Sequence, residues 1–340
     1  MVNKSSIKTA LIVGLGSIGT RHLKLLQEIR SDIRVVVLRH KNSTVDASLN
    51  IDHVVTNIED ALNYKPDIAI ISNPSPLHID TAIPLAKAGV HLFIEKPISS
   101  STKGIKELIS LTKKNNCKLM VGYNLRFSKS LKFFREKILS LSIGKLLSIR
   151  AEVGQHLDYW RPHTKYTNGV SAQKKLGGGV LLELSHELDY LSWIFGPIYW
   201  VFGYLTKRSD LDIDVEDIAH CILGFQDKNT NHDLVANLSM DFIRQDSVRQ
   251  CYVVGELGTL RWDGINHSVE LYSKNQKQWD ILYKDQEDRN FSYKEELNHF
   301  LECITNDNLP LISAESAFDT LKTIDSIRKS ANQREVIFVR

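Results

Sequence analysis

The stretch that decides the fold is Thr9–Ile29, TALIVGLGSIGTRHLKLLQEI. It opens with an apolar run of strand length, passes through glycines, and continues with apolar residues at helical spacing. The glycines fall at Gly14, Gly16 and Gly19, a G-x-G-x-x-G pattern between an expected strand and an expected helix. That context gives the pattern its meaning as a dinucleotide-binding turn. Gly14 permits the tight turn, Gly16 lets the backbone approach a pyrophosphate, and Gly19 lets the helix pack on the strand. Ser17 and Ile18 complete the cofactor-binding turn, where free N–H groups and the helix dipole favour a phosphate.

Working outward, apolar runs alternate with helical periodicity up to about Gly122. The strands are IRVVVLR, DIAIIS, HLFIEKP and KLMVGY; the helices are SPLHIDTAIPLAKAG and the stretch from Ser101 to Asn115. This alternation predicts an α/β fold, a Rossmann doubly wound parallel sheet with helices on both faces. After Gly122 the segments lengthen and alternate: LLSIRAEVGQHL, IAHCILGF, DLVANLSMDFI, QCYVVGE and TLRWDG. They predict a C-terminal α/β domain with a large, mostly antiparallel open sheet. Its helices run from Ser292 to Thr305 and from Ala314 to Ser330. A chain of 340 residues exceeds the size at which one core stops growing. The expected division is 1–122, binding NAD(P), and 123–340, binding substrate and a second copy of the chain.

The cofactor's second phosphate is read from the end of the second strand. Leu38 and Arg39 stand where an NAD site usually carries Asp or Glu, and Lys41 follows. A guanidinium there suits a ribose 2′-phosphate and stacks on adenine. NADP(H) is favoured, with NAD(H) the alternative.

A net charge of +3 gives no basic face for nucleic acid. The locally basic run RFSKSLKFFREK, Arg126 to Lys137, reads as the solvated side of an amphipathic helix. Cys117, Cys221, Cys251 and Cys303 make no CxxC pair and read as core thiols of a reducing compartment. The apolar run Ala10–Val13 is too short for a secretion signal, and no run reaches membrane-spanning length. The expectation is a cytoplasmic protein with no membrane or nucleic-acid partner and no metal site.

Two segments carry the chemistry. Glu95-Lys96-Pro97 ends a strand at its carboxyl edge, where open α/β sheets bind ligands, and Lys96 there can donate to a substrate oxygen. GGGVLLELSHELDYL, Gly177 to Leu191, places Glu183, His186 and Asp189 three residues apart. On one helix they span an arc of about 120°. Leu184, Leu188 and Leu191 fall on the other side. His186 can accept and return a proton near neutrality, and a neighbouring carboxylate can orient it. The aromatic, basic segment from Gly154 to Gly179 is expected to be a long loop, and such loops are usually functional. Its Trp160, Arg161, His163, Lys165 and Tyr166 can stack on a sugar ring or pair with an anion.

In this order, GLGSIG, EKP, GYNLRF and GGGVLLELSHELDYL resemble the glucose-fructose oxidoreductase/inositol dehydrogenase/MocA family over essentially the whole chain. The resemblance implies oxidation or reduction of a sugar, sugar-nucleotide or cyclitol carbon with a nicotinamide cofactor. It implies Lys96 as the substrate-contacting lysine, His186 as the acid/base, and a cis peptide before Pro97. It puts Ser72, Asn73, His78 and Glu95 at the cofactor, and Asn124 and Arg126 with Trp160, Arg161 and Tyr166 at a carbohydrate substrate. Homodimers or homotetramers through the C-terminal sheet are implied as well. The GQxLxxWRP segment is similar to enzymes of bacterial surface-sugar biosynthesis. One departure stands out: the family often has Asp four residues before the histidine. Here that position is Leu182, and the carboxylate is Glu183, which leaves its role open. The same fold also hosts a non-catalytic cofactor- and sugar-binding regulator and NAD-dependent glycosidases, so both remain alternatives.

Overall fold

The computed structural model of the chain describes residues 7–39, 48–160, 165–226 and 232–339. In chain order its elements begin β1 (Thr9–Val13), α1 (Ser17–Ile29), β2 (Arg34–Leu38), β3 (His53–Val55), α2 (Ile58–Asn63), β4 (Ile68–Ile71), α3 (His78–Lys87), β5 (His91–Glu95), α4 (Ile105–Lys114) and β6 (Leu119–Gly122). They continue with α5 (Lys129–Leu139), β7 (Leu146–Gly154), α6 (Val180–Glu183), α7 (His186–Phe195), β8 (Ile198–Thr206), β9 (Ile218–Phe225), β10 (Leu234–Asp241) and β11 (Val248–Gly255). The last are β12 (Gly258–Asp263), β13 (Ser268–Ser273), β14 (Trp279–Lys284), α8 (Phe291–Thr305), α9 (Ala314–Gln333) and β15 (Ile337–Phe338).

One compact unit comprises Met1–Asn124 and Asn290–Leu321. Its sheet, among the described residues, has the order β3-β2-β1-β4-β5-β6 with every neighbouring pair parallel. A parallel sheet is covered on both faces, so its strands read as unbroken apolar runs. TALIV and IAII are buried at every position. The strand order reverses direction between β1 and β4, the switch point at which ligands bind outside the carboxyl edge. The short β3 and α2 have no signal in the sequence reading. α2 is secured locally by Asn57, whose side chain accepts from Asp60 N at 2.7 Å, a cap worth about 1 kcal/mol.

The division of the chain is not the single cut expected at residue 122. The chain leaves this unit after Asn124 and returns for residues 290–321. The reason is the apolar stripe of α8: Leu297, Phe300 and Leu301 are buried, and Phe300 meets Phe93 of β5 edge-on at 5.7 Å. Arg21 of α1 lies 4.6 Å over the ring of Tyr293 at the start of the same helix.

The other unit comprises Leu125–Arg289 and Lys322–Arg340. Its sheet runs β14-β13-β12-β11-β7-β10-β9-β8-β15 among the described residues. β7 and β10 pair parallel, whereas the remaining pairs are antiparallel. One face is packed. Trp262 of β12 is buried and donates Nε1 to Ser130 Oγ of α5 at 3.0 Å, while its ring meets Tyr190 edge-on. On β8 and β9 the alternate positions Tyr204 and Ile222 stay exposed.

Phe300→Ala should cost about 3–5 kcal/mol of stability, as a large side chain lost from a filled core. Leu309→Ala, at a position 87% exposed, should cost less than about 0.5 kcal/mol. Urea unfolding followed by circular dichroism compares the two, and equal midpoints would contradict the placement of α8.

Candidate active site

The turn after β1 is built by exclusion and by room. Gly14 has φ +88°, and its N–H donates to Leu38 O at 3.0 Å. A Cβ on Gly19 would collide with Gly14 O and Ser72 Oγ, so this glycine serves close packing. A Cβ on Gly16 would meet nothing within 4 Å. Gly16 is also the N-cap of α1, with no side-chain cap and no acidic residue in the first turn. Backbone donors and the positive end of a helix therefore face open space that suits a pyrophosphate. These residues fit a dinucleotide. The Ser72 hydroxyl lies 2.9 Å from Val13 O and 3.0 Å from Gly14 O, so it holds the turn through backbone oxygens. Arg39 follows β2 half-buried, its N–H donating to Val55 O at 3.0 Å. Lys41 lies outside the described residues.

The loops at the carboxyl ends of β4 and β5 are tied by one imidazole. Nε2 of His78 lies 2.7 Å from Asn73 O, and Nδ1 lies 3.0 Å from Pro97 O. Burial holds His78 below the usual histidine range. A neutral ring has one N–H, so it donates to one of these carbonyls at a time. The side chain of Asn73 donates to Thr81 Oγ1 at 3.1 Å. The Lys96–Pro97 peptide is cis, as the family resemblance implies. Lys96 is half-buried at the edge of the sheet, and its backbone N–H donates to Glu95 Oε2 at 3.1 Å. The other oxygen of Glu95 bonds Nε2 of His22 on α1. Nothing in the sequence reading singled out His22.

In the other unit, Gly177–Leu191 is not one helix. α6 ends at Glu183, Leu184 leaves helical geometry at φ −100° and ψ 24°, and α7 restarts at His186. Glu183 and His186 therefore sit on different helices, and their spacing by three does not give them a common face. The Glu183 carboxylate accepts from Ser171 Oγ at 2.5 Å. Asp189 accepts from Arg126 through both oxygens, Nε at 2.8 Å and Nη2 at 2.6 Å. Both groups are buried, so each needs the other's charge. Burial raises the Asp189 carboxyl above its ordinary range, and the guanidinium offsets part of that rise. Arg126, expected on substrate, and Asp189, expected beside His186, are thus brought to one another. His186 itself is 9% exposed at the start of α7.

The described parts of the segment from Gly154 to Gly179, residues 154–160 and 165–179, carry short 3-10 turns. Trp160 donates Nε1 to Gln155 O at 3.1 Å and meets Phe242 edge-on. Tyr166 accepts at its hydroxyl from Asp212 N at 3.1 Å. Arg161 and His163 lie outside the described residues. In the first unit, Asn124 donates to Ser292 Oγ at 2.8 Å. Sequence reasoning also missed Glu187, fully buried and accepting from Arg249 Nε at 2.8 Å. It lies among the same leucines as His186, and a carboxylate in that apolar run was the available signal.

Residues 8–123 match an oxidoreductase family with an NAD-binding Rossmann fold, and residues 135–339 match that family's C-terminal alpha/beta domain. The chain belongs to the glucose-fructose oxidoreductase/inositol dehydrogenase/MocA family. It is an NAD-binding oxidoreductase by membership. It is 24% identical to the myo-inositol 2-dehydrogenase of Thermotoga maritima, over 96% of this chain and 97% of that one. Its fold is similar to the WlbA dehydrogenase of Bordetella pertussis, solved with NADH and UDP-GlcNAcA (TM-score 0.82, 19% identity, 98% of each chain). It is also similar to a levoglucosan dehydrogenase solved with NADH and levoglucosan (TM-score 0.84, 16% identity, 98% of this chain and 99% of that one). No helix among the described residues is long and apolar enough to cross a membrane.

Two glycine variants separate room from packing. Gly16→Ala should melt as the parent does yet bind dinucleotide about tenfold or more weakly, because its methyl enters the pyrophosphate space. Gly19→Ala should lose both binding and stability. Cofactor titration with thermal melts reads the difference, and a Gly16→Ala protein that binds like the parent would contradict the cradle.

Proposed function

We propose that the protein moves a hydride between a nicotinamide cofactor and a carbinol carbon of a sugar, sugar-nucleotide or cyclitol, using NADP(H) in preference to NAD(H). One observation supports this most: the carboxyl edge of the first unit's sheet carries both the open Gly16 cradle and Lys96 with its cis Pro97. The names of the relatives support the substrate class, being those of proteins that act on inositol or are seen with levoglucosan and UDP-GlcNAcA.

A bound nicotinamide supplies the ring that accepts or gives the hydride. In the oxidising direction His186 takes the hydroxyl proton as the carbinol becomes a carbonyl. Lys96 donates to a substrate oxygen and stabilises the negative charge that develops there. Ser72 and His78 keep the edge loops in place, and Asn73 and Glu95 lie near the cofactor. Glu183 positions the turn before His186, and the Arg126–Asp189 pair fixes α7 on which His186 stands. Trp160, Arg161 and Tyr166 hold the sugar, and Asn124 is a further substrate-binding residue. Arg39 pairs with the 2′-phosphate, in place of the acidic residue that would grip a free hydroxyl. Assembly runs through the C-terminal sheet, where Phe202, Tyr204 and Ile222 share the unpacked face of β8 and β9. Four buried, free cysteines fit a reducing, cytoplasmic setting.

His186→Ala should lose about 10²–10⁴ in turnover and keep its cofactor affinity, the signature of a missing proton acceptor. Full activity in this variant would remove His186 from the chemistry. Arg39→Ala should weaken NADPH binding about tenfold or more, as a lost charge-assisted contact, and leave NADH binding within about threefold. Parent protein that binds NADH more tightly than NADPH would overturn the preference.

A further inference from the structure

We propose that Glu296 is carried as a neutral carboxylic acid and that, with Glu95 and His22, it forms a buried proton-sharing triad that fixes the peptide from which Lys96 projects. His22 comes from α1, Glu95 from the last residue of β5 and Glu296 from α8. One ligand atom from each lies within 4.8 Å of the others. His22 and Glu296 are fully buried, and Glu95 is 7% exposed. The Glu95–His22 hydrogen bond uses Oε1, and Oε2 accepts from Lys96 N. Both carboxyl oxygens of Glu296 are buried with no hydrogen-bond partner.

An ionised Glu296 would face a second carboxylate in a dry core, with no cation of its own. That cost combines desolvation with like-charge repulsion. A proton on Glu296 removes the charge and supplies an O–H donor that Glu95 can accept. Burial, reinforced by the charge of Glu95, moves Glu296 well above the ordinary carboxylate range. Among the described residues no hydrogen bond ties Glu296 to a cation. Phe93 meets the His22 ring edge-on at 5.1 Å, and Tyr293 does so at 6.1 Å. Gly122 of β6 leaves space against Glu95 Oε1. The other titratable groups at hand are His78, which feels the charge of Glu95 and is kept neutral by burial, and Lys96. Arg21 lies over the Tyr293 ring, and Lys294 of α8 pairs with Glu28 of α1.

The same three donors could hold a metal by type. However, an ion needs about 2.0–2.2 Å to each nitrogen and oxygen ligand, which leaves those ligands too far apart to bond one another. Glu95 and His22 are in direct hydrogen bond, the arrangement expected when a proton lies between them.

Glu296 is thus a positioning residue that acts on Lys96 through Glu95. That last link rests on the reading that Lys96 meets the substrate; the proton on Glu296 does not. The test is infrared difference spectroscopy of the full chain, parent against Glu296→Gln. The carbonyl stretch of a protonated carboxylic acid should persist in the parent above about pH 6, where an ordinary glutamate is ionised, and be missing from the variant. Stability adds a second readout. A carboxyl raised in the folded state contributes stability below its unfolded value and loses it as pH rises through the folded value. Glu296→Gln, with nothing to titrate, should therefore lose less stability than the parent as pH rises. Turnover in Glu296→Gln should stay within about threefold of the parent, and in Glu296→Ala fall about tenfold or more, as expected for a displaced catalytic group. No acid band in the parent would overturn the proposal. So would stoichiometric bound metal that Glu296→Gln releases. A persistent band with unchanged turnover in Glu296→Ala would overturn the link to Lys96. Full turnover in Lys96→Ala, with the band in place, would instead overturn the earlier reading of Lys96.

Discussion

A wholly parallel sheet imposes two conditions at once: both faces must be covered, and every connection that leaves a strand does so at the same carboxyl edge. The first unit meets both. β1 and β4 are buried through their length, and β5 at every position after His91; they deliver Gly14, Ser72–Asn73 and Glu95–Lys96 to one edge. None of these residues needs its own device to find the others, since register between parallel strands places them. Smaller contacts refine the edge. The Ser72 hydroxyl closes the glycine turn, and His78 spans the loops after β4 and β5.

The second theme is buried charge. Arg126 with Asp189 and Arg249 with Glu187 are removed from water in partnership. Such pairs add little net stability over an apolar replacement, but leaving one member alone costs about 3–5 kcal/mol. They define orientation instead. Arg126–Asp189 settles how α7 presents His186, and the His22–Glu95 bond settles the carboxylate behind Lys96. Glu296 enlarges that second cluster with a group that has no counter-charge, which is why its proton matters.

Much of this was legible in the residues. The helix Ser17–Ile29 was read with its observed bounds, because Gly16 and the apolar stripe mark both ends. The strands of the first sheet declared themselves by unbroken apolar runs. What stayed hidden has physical reasons. β3 and α2 are too short to show periodicity. The break at Leu184 follows from backbone geometry that a leucine does not announce. The pairing of Arg126 with Asp189 joins residues 63 apart in sequence, and that of His22 with Glu95 joins residues 73 apart. Spacing along one helix cannot reveal either. The return of α8 to the first unit is likewise a matter of which apolar face is left to cover Phe93.

Hydride transfer is tested most directly by isotope. A sugar or cyclitol substrate bearing deuterium at the carbinol carbon is turned over with oxidised cofactor, and the recovered nicotinamide is weighed by mass spectrometry. Deuterium on the nicotinamide ring, rising in step with the absorbance of the reduced cofactor and with carbonyl product, is the expected result. Product formed while the recovered cofactor stays unlabelled and oxidised would contradict the oxidoreductase chemistry proposed for Lys96 and His186.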